Sequence, residues 1–441
     1  MTMRGIKSQS NFDYGQTAAD GCSAFQSQRR NADPKLRARS LLLAATVSTL
    51  ALAIAMPASA QISAQKSGTG IEEVIVTARK RQETLLNVPI VTQAITGPQL
   101  AGLKLPTDIE SIVPSLTIGE AVLSSGTRVF LRGVGTTSGD PGVDQSISLN
   151  VDGLQLTNGL AYTSGLFDLG RIEVLKGPQG LFYGKNSPGG VISLYSADPT
   201  DRFEVTGGAG YEVEARTKQT DLIVSGPASE SMKLRLAARY ANSDGFFKNA
   251  ATALPGTGAL TPADRFNKTE TWIVRGTALW APASDFDARL KVNYVKDADL
   301  WVGSQQYVSC PDGVAPPPGR LQYLAPADNC RQDRTAYFVG MDPAAFPGVP
   351  SLGVPNLAHG GAPYRDSTQW YGTLEMNYHP TTDLTVTSLS GYYYLHTASV
   401  LNSGNAGYAG TPIVTEQGLR RRDITEELRV NSSFTGPINF T

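Results

Sequence analysis

The residues that could perform chemistry are few, and their spacing argues against catalysis. The turn from Gly180 to Asn186 looks like a phosphate-binding loop, but Gln179 stands where such a loop needs its first glycine. Asn186 also replaces the hydroxyl residue that holds Mg²⁺ in these loops. The 3 histidines are dispersed along the chain, and no GxSxG, HExxH or CxxC motif occurs. The sequence therefore predicts no enzyme activity, no metal centre and no cofactor.

A second group of residues could bind another protein through its backbone. It is a short apolar strip in the otherwise polar segment 61–85, where no hairpin partner is evident. Its β-branched residues favour an extended strand. The strip is either the first strand of the domain that follows or a segment that another protein captures by strand addition. It comprises Glu73, Val74, Ile75, Val76, Thr77 and Ala78.

The length and the charge balance limit the class of protein. A chain of 441 residues suggests two or three domains. The 38 Lys and Arg residues nearly balance the 39 Asp and Glu residues, which argues against nucleic-acid binding. No apolar run reaches the length of about 18 residues that a transmembrane helix needs. A charged fraction of 17%, together with 45 glycines and 17 tyrosines, favours a large and mainly β protein.

The N-terminus has the residue order of a secretory signal. A basic stretch ends at Arg39, an apolar run extends from Leu41 to Ala55, and Ala58 and Ala60 supply small residues for cleavage. The apolar run is too short to span a bilayer comfortably. We therefore expect residues 1–60 to be a signal peptide with a long N-terminal lead. A short buried helix is the alternative interpretation.

Cleavage after Ala60 would leave Cys310 and Cys330, which lie in a stretch rich in proline and glycine. In an exported protein, two such cysteines form one disulfide that closes a loop. We predict this bond, and closing a loop of this size stabilises the fold by about 3 kcal/mol in the chain-entropy model. Mass spectrometry of the non-reduced mature protein should show the two cysteines linked. Two free thiols would contradict the prediction.

Residues 201–441 carry the alternation of a membrane β-barrel. Apolar and polar residues alternate over runs of about 9–11 residues, and aromatic residues stand at the ends of the apolar rows. From the second link onward, short turns and long loops alternate, as they do at the two rims of an outer-membrane barrel. A soluble β-sandwich is the alternative. We predict eight strands, near 203–212, 218–226, 232–241, 271–281, 286–296, 368–379, 383–395 and 422–431.

Residues 86–200 form a different unit, in which glycines that permit sharp turns separate short strands and helical turns. Within it, segment 168–192 resembles the hallmark of the plug domain of TonB-dependent outer-membrane receptors. The apolar strip is similar to the TonB box of that family, so the resemblance covers residues 71–441. The matching plug residues are Arg132, Gly133, Asp152, Gly153, Arg171, Glu173, Lys176, Gly177, Pro178, Gly180, Tyr183, Gly184, Gly189 and Gly190.

The resemblance implies a mainly β fold, with an α+β plug domain over residues 86–200 inside a transmembrane antiparallel β-barrel that begins at residue 201. The strip would lie in a periplasmic tail over residues 61–85. Barrels of this family have about 22 strands around the plug, whereas eight strands leave room only for their own side chains. We therefore expect this chain to be the N-terminal part of a longer protein, and residues 61–441 alone to transport nothing.

The resemblance also implies an ionic lock between plug and barrel. Arg132 and Lys176 match the plug half of the lock, and Glu427 matches an acceptor on the barrel. Lys176 stands where the family more often has arginine. Because lysine lacks the bidentate fork of arginine, a weaker lock is expected. Strand parity places Glu427 on the inward face of its strand and Glu426 on the outward face.

The function that the resemblance implies is energised uptake across the bacterial outer membrane. TonB, with its inner-membrane energising complex, would pair with the strip strand to strand and pull on the plug. The expected cargo is scarce and large: a ferric siderophore first, with cobalamin, a glycan or an aromatic compound as alternatives. A passive porin is the alternative from a different class. The other expected partner is outer-membrane lipid, and the expected state is a monomer.

Overall fold

The computed structural model describes a large part of the chain. The described residues are 3–8, 75–77, 80–81, 83–84, 88–103, 106–119, 126–136, 142–164, 166–250, 263–302, 333–336, 340, 358–402, 414–436 and 438–441. Both cysteines of the predicted disulfide lie outside these ranges, as do the predicted signal segment beyond residue 8 and the strip residues Glu73, Val74 and Ala78. Within these ranges, no helix is long and apolar enough to cross a membrane.

The described chain up to residue 200 is built from short elements. Its helices are α1 (Gly97–Gly102) and α2 (Gly180–Tyr183), and 3₁₀ turns cover Pro106–Ser111 and Leu160–Ser164. Its strands are β1 (Met3–Ser8), β2 (Ile75–Val76), β3 (Glu83–Thr84), β4 (Thr92–Ile95), β5 (Leu116–Gly119), β6 (Arg128–Leu131), β7 (Val134–Gly135), β8 (Ile147–Val151), β9 (Leu154–Leu156), β10 (Leu169–Lys176) and β11 (Gly190–Ser196).

Five of these strands form one sheet, which we call the plug sheet. Its order is β4, β10, β11, β8, β9, and only β8 and β11 run parallel to each other. Ile147, Leu149, Val174 and Ile192 in its central strands are completely buried. Strands that are covered on both faces need such continuous apolar runs, which is why these segments are rich in Val, Ile and Leu.

Two motif pairs form tight turns at the ends of plug strands. Asp152 and Gly153 connect β8 to β9, and their φ angles are 49° and 91°. A two-residue hairpin with positive φ at both positions follows the natural twist of the strands and favours Asp-Gly. Arg132 and Gly133, with φ angles of 53° and 79°, connect β6 to β7 in the same way. These turns explain why the motif needs glycine at its second position.

The chain after residue 200 forms long antiparallel strands. Eight of them are hydrogen-bonded in chain order into one sheet, which we call the wall, while β15, β16 and β19 form a small separate sheet. The strands are β12 (Glu204–Glu212), β13 (Thr217–Pro227), β14 (Met232–Ser243), β15 (Phe247–Asn249), β16 (Arg265–Phe266), β17 (Lys268–Ala283), β18 (Phe286–Leu300), β19 (Thr335–Ala336), β20 (Tyr364–Thr381), β21 (Leu384–Asn402) and β22 (Val414–Ser432).

Several wall strands are longer than the alternation predicts. β22 begins at Val414 rather than near residue 422, and β21 ends at Asn402 rather than near residue 395. The additional residues lie at the end with the long connections. In β21 the adjacent residues Val400 and Leu401 are both buried, so the alternation that marks a strand is lost there.

The two faces of the wall differ in polarity. On β18, Leu290 and Val292 are exposed on the outward face, whereas Lys291 between them is buried on the inward face. Trp272 and Trp280 stand eight residues apart on the outward face of β17, which is about 27 Å along a strand. That distance suits the apolar band of about 25 Å that a membrane barrel presents to lipid.

One hydrophobic cluster joins the plug to the wall. It includes Leu154 of the plug and Tyr371, Tyr393 and Leu395 of the wall. Gly391 of β21 permits the close approach, because a Cβ atom there would lie 2.7 Å from a methyl carbon of Leu154. The plug therefore packs directly on the inward face of β20 and β21.

A further strand lies at the end of the wall. β1 pairs antiparallel with β22, with Met3 opposite Leu428 and Ser8 opposite Asp423. The edge of a sheet offers a row of backbone groups to any extended segment, which accounts for this pairing. That residues 1–60 are a signal peptide stays a prediction.

Candidate functional site

The strip that resembles a TonB box is docked on the plug. β2 pairs with β3, and Val76 stands opposite Glu83. This pairing corrects the expectation that the strip has no hairpin partner. The Lys80 N–H donates to the Thr77 carbonyl at 2.9 Å, and Lys80 adopts a positive φ of 62°. The sequence gives no sign of the turn because it contains neither glycine nor an Asn-Gly pair.

A buried carboxylate of the plug holds the strip. The backbone N–H of Thr77 donates to both carboxylate oxygens of Glu173 at 3.1 Å, and Glu173 is completely buried. Arg171, two residues away on the same face of β10, donates from Nε to this carboxylate at 2.8 Å. Its guanidinium lies 3.7 Å from the centre of the Tyr195 ring. Val76 is also fully buried, so the plug covers the strip and satisfies one of its backbone donors.

The Tyr195 phenol belongs to the same cluster. Its oxygen contacts the Thr77 hydroxyl, and that hydroxyl also lies within hydrogen-bond distance of Glu173 and Arg171. Burial first, and then the neighbouring Tyr183 and the charge of Glu173, raise the pKa of Tyr195 well above its ordinary value. The phenol therefore stays neutral, and the cluster contains one buried anion and one cation around Thr77.

An ammonium group of the wall is buried among oxygens of the plug. Lys291 of β18 faces inward, and its side chain is only 5% exposed. Its Nζ lies 3.0 Å from the Asp152 carboxylate, 3.1 Å from the Asp198 carboxylate and 2.9 Å from the Ser196 carbonyl. An ammonium has three donors, and three oxygens surround this one. The network fastens the turn after β8 and the end of β11 to the wall.

The same network controls the protonation of Asp152. Burial alone would raise the pKa of this carboxyl group. The charges of Lys291 and Arg275 and the hydrogen bonds from Ser196 outweigh burial and hold its pKa below the ordinary value. Ser196 donates to Asp152 from its N–H at 2.9 Å and from its hydroxyl at 2.6 Å. Asp152 is therefore ionised at neutral pH and depends on the wall for its counter-charge.

Two arginines of the wall hold the next plug segment. Arg275 is 1% exposed, and it donates to the carbonyls of Phe167 and Asp168 at 2.6 Å and 2.9 Å. Its Nε donates to the Asn293 side chain at 2.6 Å. Arg235 donates from Nε to the Asp168 carboxylate at 2.9 Å. The wall therefore binds this segment through two backbone carbonyls and through the Asp168 side chain.

A third contact joins β22 to the plug. Arg421 binds Asp144 of the plug and Asp423 of its own strand, with N–O distances of 2.7 Å for each. Asp144 also accepts hydrogen bonds from Thr157 at 2.8 Å and from Asn186 at 3.0 Å. Burial would raise the pKa of Asp144, but Arg421 and these hydrogen bonds lower it below its ordinary value.

The structure does not bring the predicted lock together. Glu427 lies on the inward face of β22, where its carboxylate is 3.6 Å from Lys80 and 3.1 Å from Arg429. Lys176 instead donates to the Pro114 carbonyl at 3.3 Å. Lys176 ends β10, and burial and the charge of Arg132 lower its pKa. Among the described contacts, the cation that reaches Glu427 from the plug side is therefore Lys80, next to the strip.

The remaining motif residues shape the backbone around β10 and β11. Gly190 opens β11 where a Cβ atom would lie 2.5 Å from the Leu175 carbonyl oxygen, so a side chain cannot be accommodated. Tyr183, in α2, is buried with Leu175 and Val191. The other motif residues in this connection are Gly177, Pro178, Gly180, Gly184 and Gly189.

The sequence did not predict which cations of the wall bind the plug. Lys291 and Arg275 lie at inward positions in the middle of amphipathic strands, where the sequence pattern indicates only that the inward face is polar. Full burial of such a residue requires a partner from another part of the chain. The one available signal is parity, because a long cation at mid-strand on the inward side must face the plug.

Comparison with known proteins agrees with this arrangement. A family model described as TonB-dependent Receptor Plug Domain matches residues 84–191. The pesticin receptor of Yersinia pestis is 29% identical over 181 residues, which is 40% of this chain and 25% of that protein. The hemin receptor of Yersinia pestis is 28% identical over 191 residues, or 42% of this chain and 27% of that protein. The chain spans about a quarter of the length of these relatives.

Solved structures share the fold at low sequence identity. The ferric yersiniabactin uptake receptor of Yersinia pestis has a TM-score of 0.56 and 17% identity, covering 79% of this chain and 46% of its own. The siderophore receptor PiuA of Acinetobacter baumannii has a TM-score of 0.54 and 16% identity, covering 80% of this chain and 44% of its own. The chain spans somewhat under half of these structures.

A plug sheet packed on the inward face of a wall of alternating strands defines a plugged outer-membrane β-barrel, here with eight wall strands. This confirms the predicted fold class. Residues 84–191 match the plug domain of TonB-dependent receptors, and the predicted resemblance of the chain to this family is thereby confirmed. The predicted location in the outer membrane is thereby confirmed as well.

Proposed function

We propose that this protein binds a scarce, large substrate at the cell surface and takes it up with energy supplied through TonB. The observation that supports this most directly is the docked strip. The Thr77 N–H of the strip donates a hydrogen bond to a buried carboxylate of the plug. Ion pairs in turn join the plug to the wall. A partner that captured the strip by strand pairing would exert force on the plug itself.

A ferric siderophore is our first candidate for the substrate. The solved neighbours are named as a ferric yersiniabactin uptake receptor and a siderophore receptor, which favours iron chelates as the substrate class. The relatives named for pesticin and hemin show that names within this family cover other ligands as well. Cobalamin, a glycan or an aromatic compound would use the same plug and strip.

Growth under iron limitation tests the proposal. Cells that lack their other receptors and carry this protein at full length receive one ferric siderophore, haem or cobalamin at a time. We expect growth with at least one ferric siderophore and loss of that growth in cells without TonB. Growth that persists without TonB would indicate a passive pore and overturn the mechanism. Growth that responds only to cobalamin would overturn the substrate class alone.

The carboxylate of Glu173 is expected to restrain the strip. In Glu173→Gln the charged acceptor of the Thr77 N–H becomes neutral, and hydrogen bonds to neutral groups are weaker by about 1 kcal/mol. The strip should then leave the plug more often, and capture of TonB without substrate should rise about fivefold. The measurement is co-purification of TonB with the full-length receptor in the absence and in the presence of substrate.

Glu230→Gln is the matched control, because Glu230 is exposed in a turn of the wall. We expect this variant to capture TonB as the unmodified receptor does. Equal capture by Glu173→Gln and by the control would show that Glu173 does not hold the strip.

A further inference from the structure

The turn between β2 and β3 is bound by the wall as well as by the plug. Arg429 of β22 donates from Nη1 to the Lys80 carbonyl at 2.9 Å, and the Asn431 side chain donates to the same oxygen at 3.4 Å. Glu427, on the same inward face, lies 3.6 Å from the Lys80 ammonium. One wall strand therefore binds both the backbone carbonyl and the side chain of Lys80.

These contacts are shielded from water. The side chains of Lys80 and Arg429 are only 10% and 11% exposed. The Lys80 ammonium also lies 4.8 Å from the centre of the Tyr183 ring of the plug. Hydrogen bonds with a charged donor are about twice as strong as neutral ones, and a low local dielectric strengthens them further. The bond from Arg429 is therefore a strong restraint on the turn.

The contacts lie at the end of the wall where the connections are short. Ser432 ends β22 and pairs with Leu384, which follows the tight turn after β20. Arg429 and Asn431 are the last two inward residues before this end. Short turns of outer-membrane barrels face the periplasm. The wall therefore binds the turn on the side from which TonB would reach the strip.

β3 occupies an edge of the strip. Val76 pairs antiparallel with Glu83, and the Thr77 N–H, the next donor along the chain, is already bound to Glu173. A partner that adds a strand needs free backbone donors and acceptors at the edge that it joins. Such a partner must therefore displace β3 from this edge.

The hairpin of β2 and β3 depends on its surroundings. Each strand has two residues, and an isolated two-stranded hairpin is at best marginally stable in water. The ion pair between Arg81 and Glu83, with Nε and Oε1 2.8 Å apart, lies within the segment itself and does not attach it to the wall. The bonds from β22 to Lys80 are therefore what holds the turn in place on the wall side.

We propose that β3 is an internal competitor of TonB for the strip, and that Arg429 and Asn431 of the wall position it. This inference rests on the proposed function. While β22 binds the Lys80 carbonyl, β3 stays paired with β2 and the edge of the strip is occupied. When the turn leaves the wall, β3 separates and TonB can pair with the strip. Release of the strip is then controlled by the wall as well as by Glu173.

The test measures binding of the periplasmic domain of TonB to the full-length receptor in detergent, without substrate. In Arg429→Gln the charged donor to the Lys80 carbonyl is lost, and the open hairpin should be populated about tenfold more often. Because the apparent Kd falls in proportion to the competent fraction, TonB should bind about tenfold more tightly. Hydrogen exchange of the β2 and β3 amides should accelerate by a similar factor. Arg429→Lys, which keeps a charged donor, should remain within a few-fold of the unmodified receptor.

Arg420→Gln is the matched control, because Arg420 is an arginine of the same strand that is exposed on the opposite face. It should bind TonB as the unmodified receptor does. Thr84→Pro disrupts β3 without changing the wall, and it should also strengthen TonB binding about tenfold. This second variant tests the competition even if Arg429→Gln does not fold.

Three outcomes separate the alternatives. Equal TonB binding by Arg429→Gln, Thr84→Pro and the control would overturn this proposal and leave the proposed function intact. Faster exchange of the hairpin amides without tighter TonB binding would also overturn it, because β3 would then not compete with TonB. If no form of the receptor binds TonB, the unmodified one included, the proposed function is wrong, and this proposal is overturned with it.

Discussion

Uptake is expected to stop when Val76 is replaced by proline, while the substrate still binds at the cell surface. The strand pairing with TonB that we propose depends on backbone donors in the strip, and proline removes one donor and fixes φ. Surface binding should persist because the strip is on the plug, remote from the long connections at the outer rim. The measurements are uptake of radiolabelled substrate and substrate binding to whole cells of the same strain.

Val76→Ala is the matched control. Val76 is completely buried on the plug, so any change there also removes packing. Alanine removes the side chain but keeps the backbone N–H, and we expect its uptake to remain within a few-fold of normal. Loss of uptake in both variants would assign the effect to packing. Normal uptake by Val76→Pro would refute the assignment of the strip as a TonB box.

Loss of the Lys291 ammonium is expected to loosen the plug more than removal of any exposed ion pair. In Lys291→Met, Asp152 would keep a buried charge without its nearest cation. Breaking a buried pair in this way costs about 3–5 kcal/mol. The free energy of unfolding should fall by that amount, and the plug should become accessible to protease. Chemical denaturation of the full-length receptor in detergent measures the first effect, and limited proteolysis measures the second.

The double variant Lys291→Met with Asp152→Asn isolates the pairwise term. Compared with the two single variants, it should recover part of the loss, because the Asp152 carboxylate is gone and Asp198 keeps Arg289 at 3.2 Å. Lys233→Met is the control, since Lys233 forms an exposed, solvent-screened ion pair with Asp201 and should change the free energy of unfolding far less. Equal losses in Lys291→Met and Lys233→Met would contradict the network. Because the wall lowers the pKa of Asp152, its contribution is complete above the ordinary carboxyl pKa and is lost as pH falls through the lowered value.

Much of the wall could be predicted because its signal is local. Successive side chains of a strand point to opposite faces, so the alternation around Leu290 and Leu374 identifies strand, period and face at once. The end of β21 could not be predicted, since Val400 and Leu401 are adjacent in the chain and both buried, which breaks the alternation. The hairpin of β2 and β3 was missed for a related reason, because its turn carries no glycine.

Some features of the site depend on residues that are neighbours in the sequence, and others depend on residues that are far apart in it. Positive φ at Gly153 and the close approach at Gly190 are properties of a few neighbouring residues, which is why the motif shows them directly in the sequence. Glu173 could be recognised as part of the motif, but its partner Thr77 lies 96 residues earlier. No periodicity in the sequence indicates that these two residues meet.

The amino-acid sequence by itself determined the class of this protein: the plug motif, the alternating strands and the apolar strip are encoded in short segments by backbone sterics and hydrophobic period. Only the tertiary structure decided which charges meet. Lys291 and Asp152 are 139 residues apart, Arg421 and Asp144 are 277 apart, and Lys80 takes the place expected of Lys176 at Glu427. The physical reason is that a buried charge accepts any counter-charge that packing delivers, and packing of the plug against the wall depends on the whole fold.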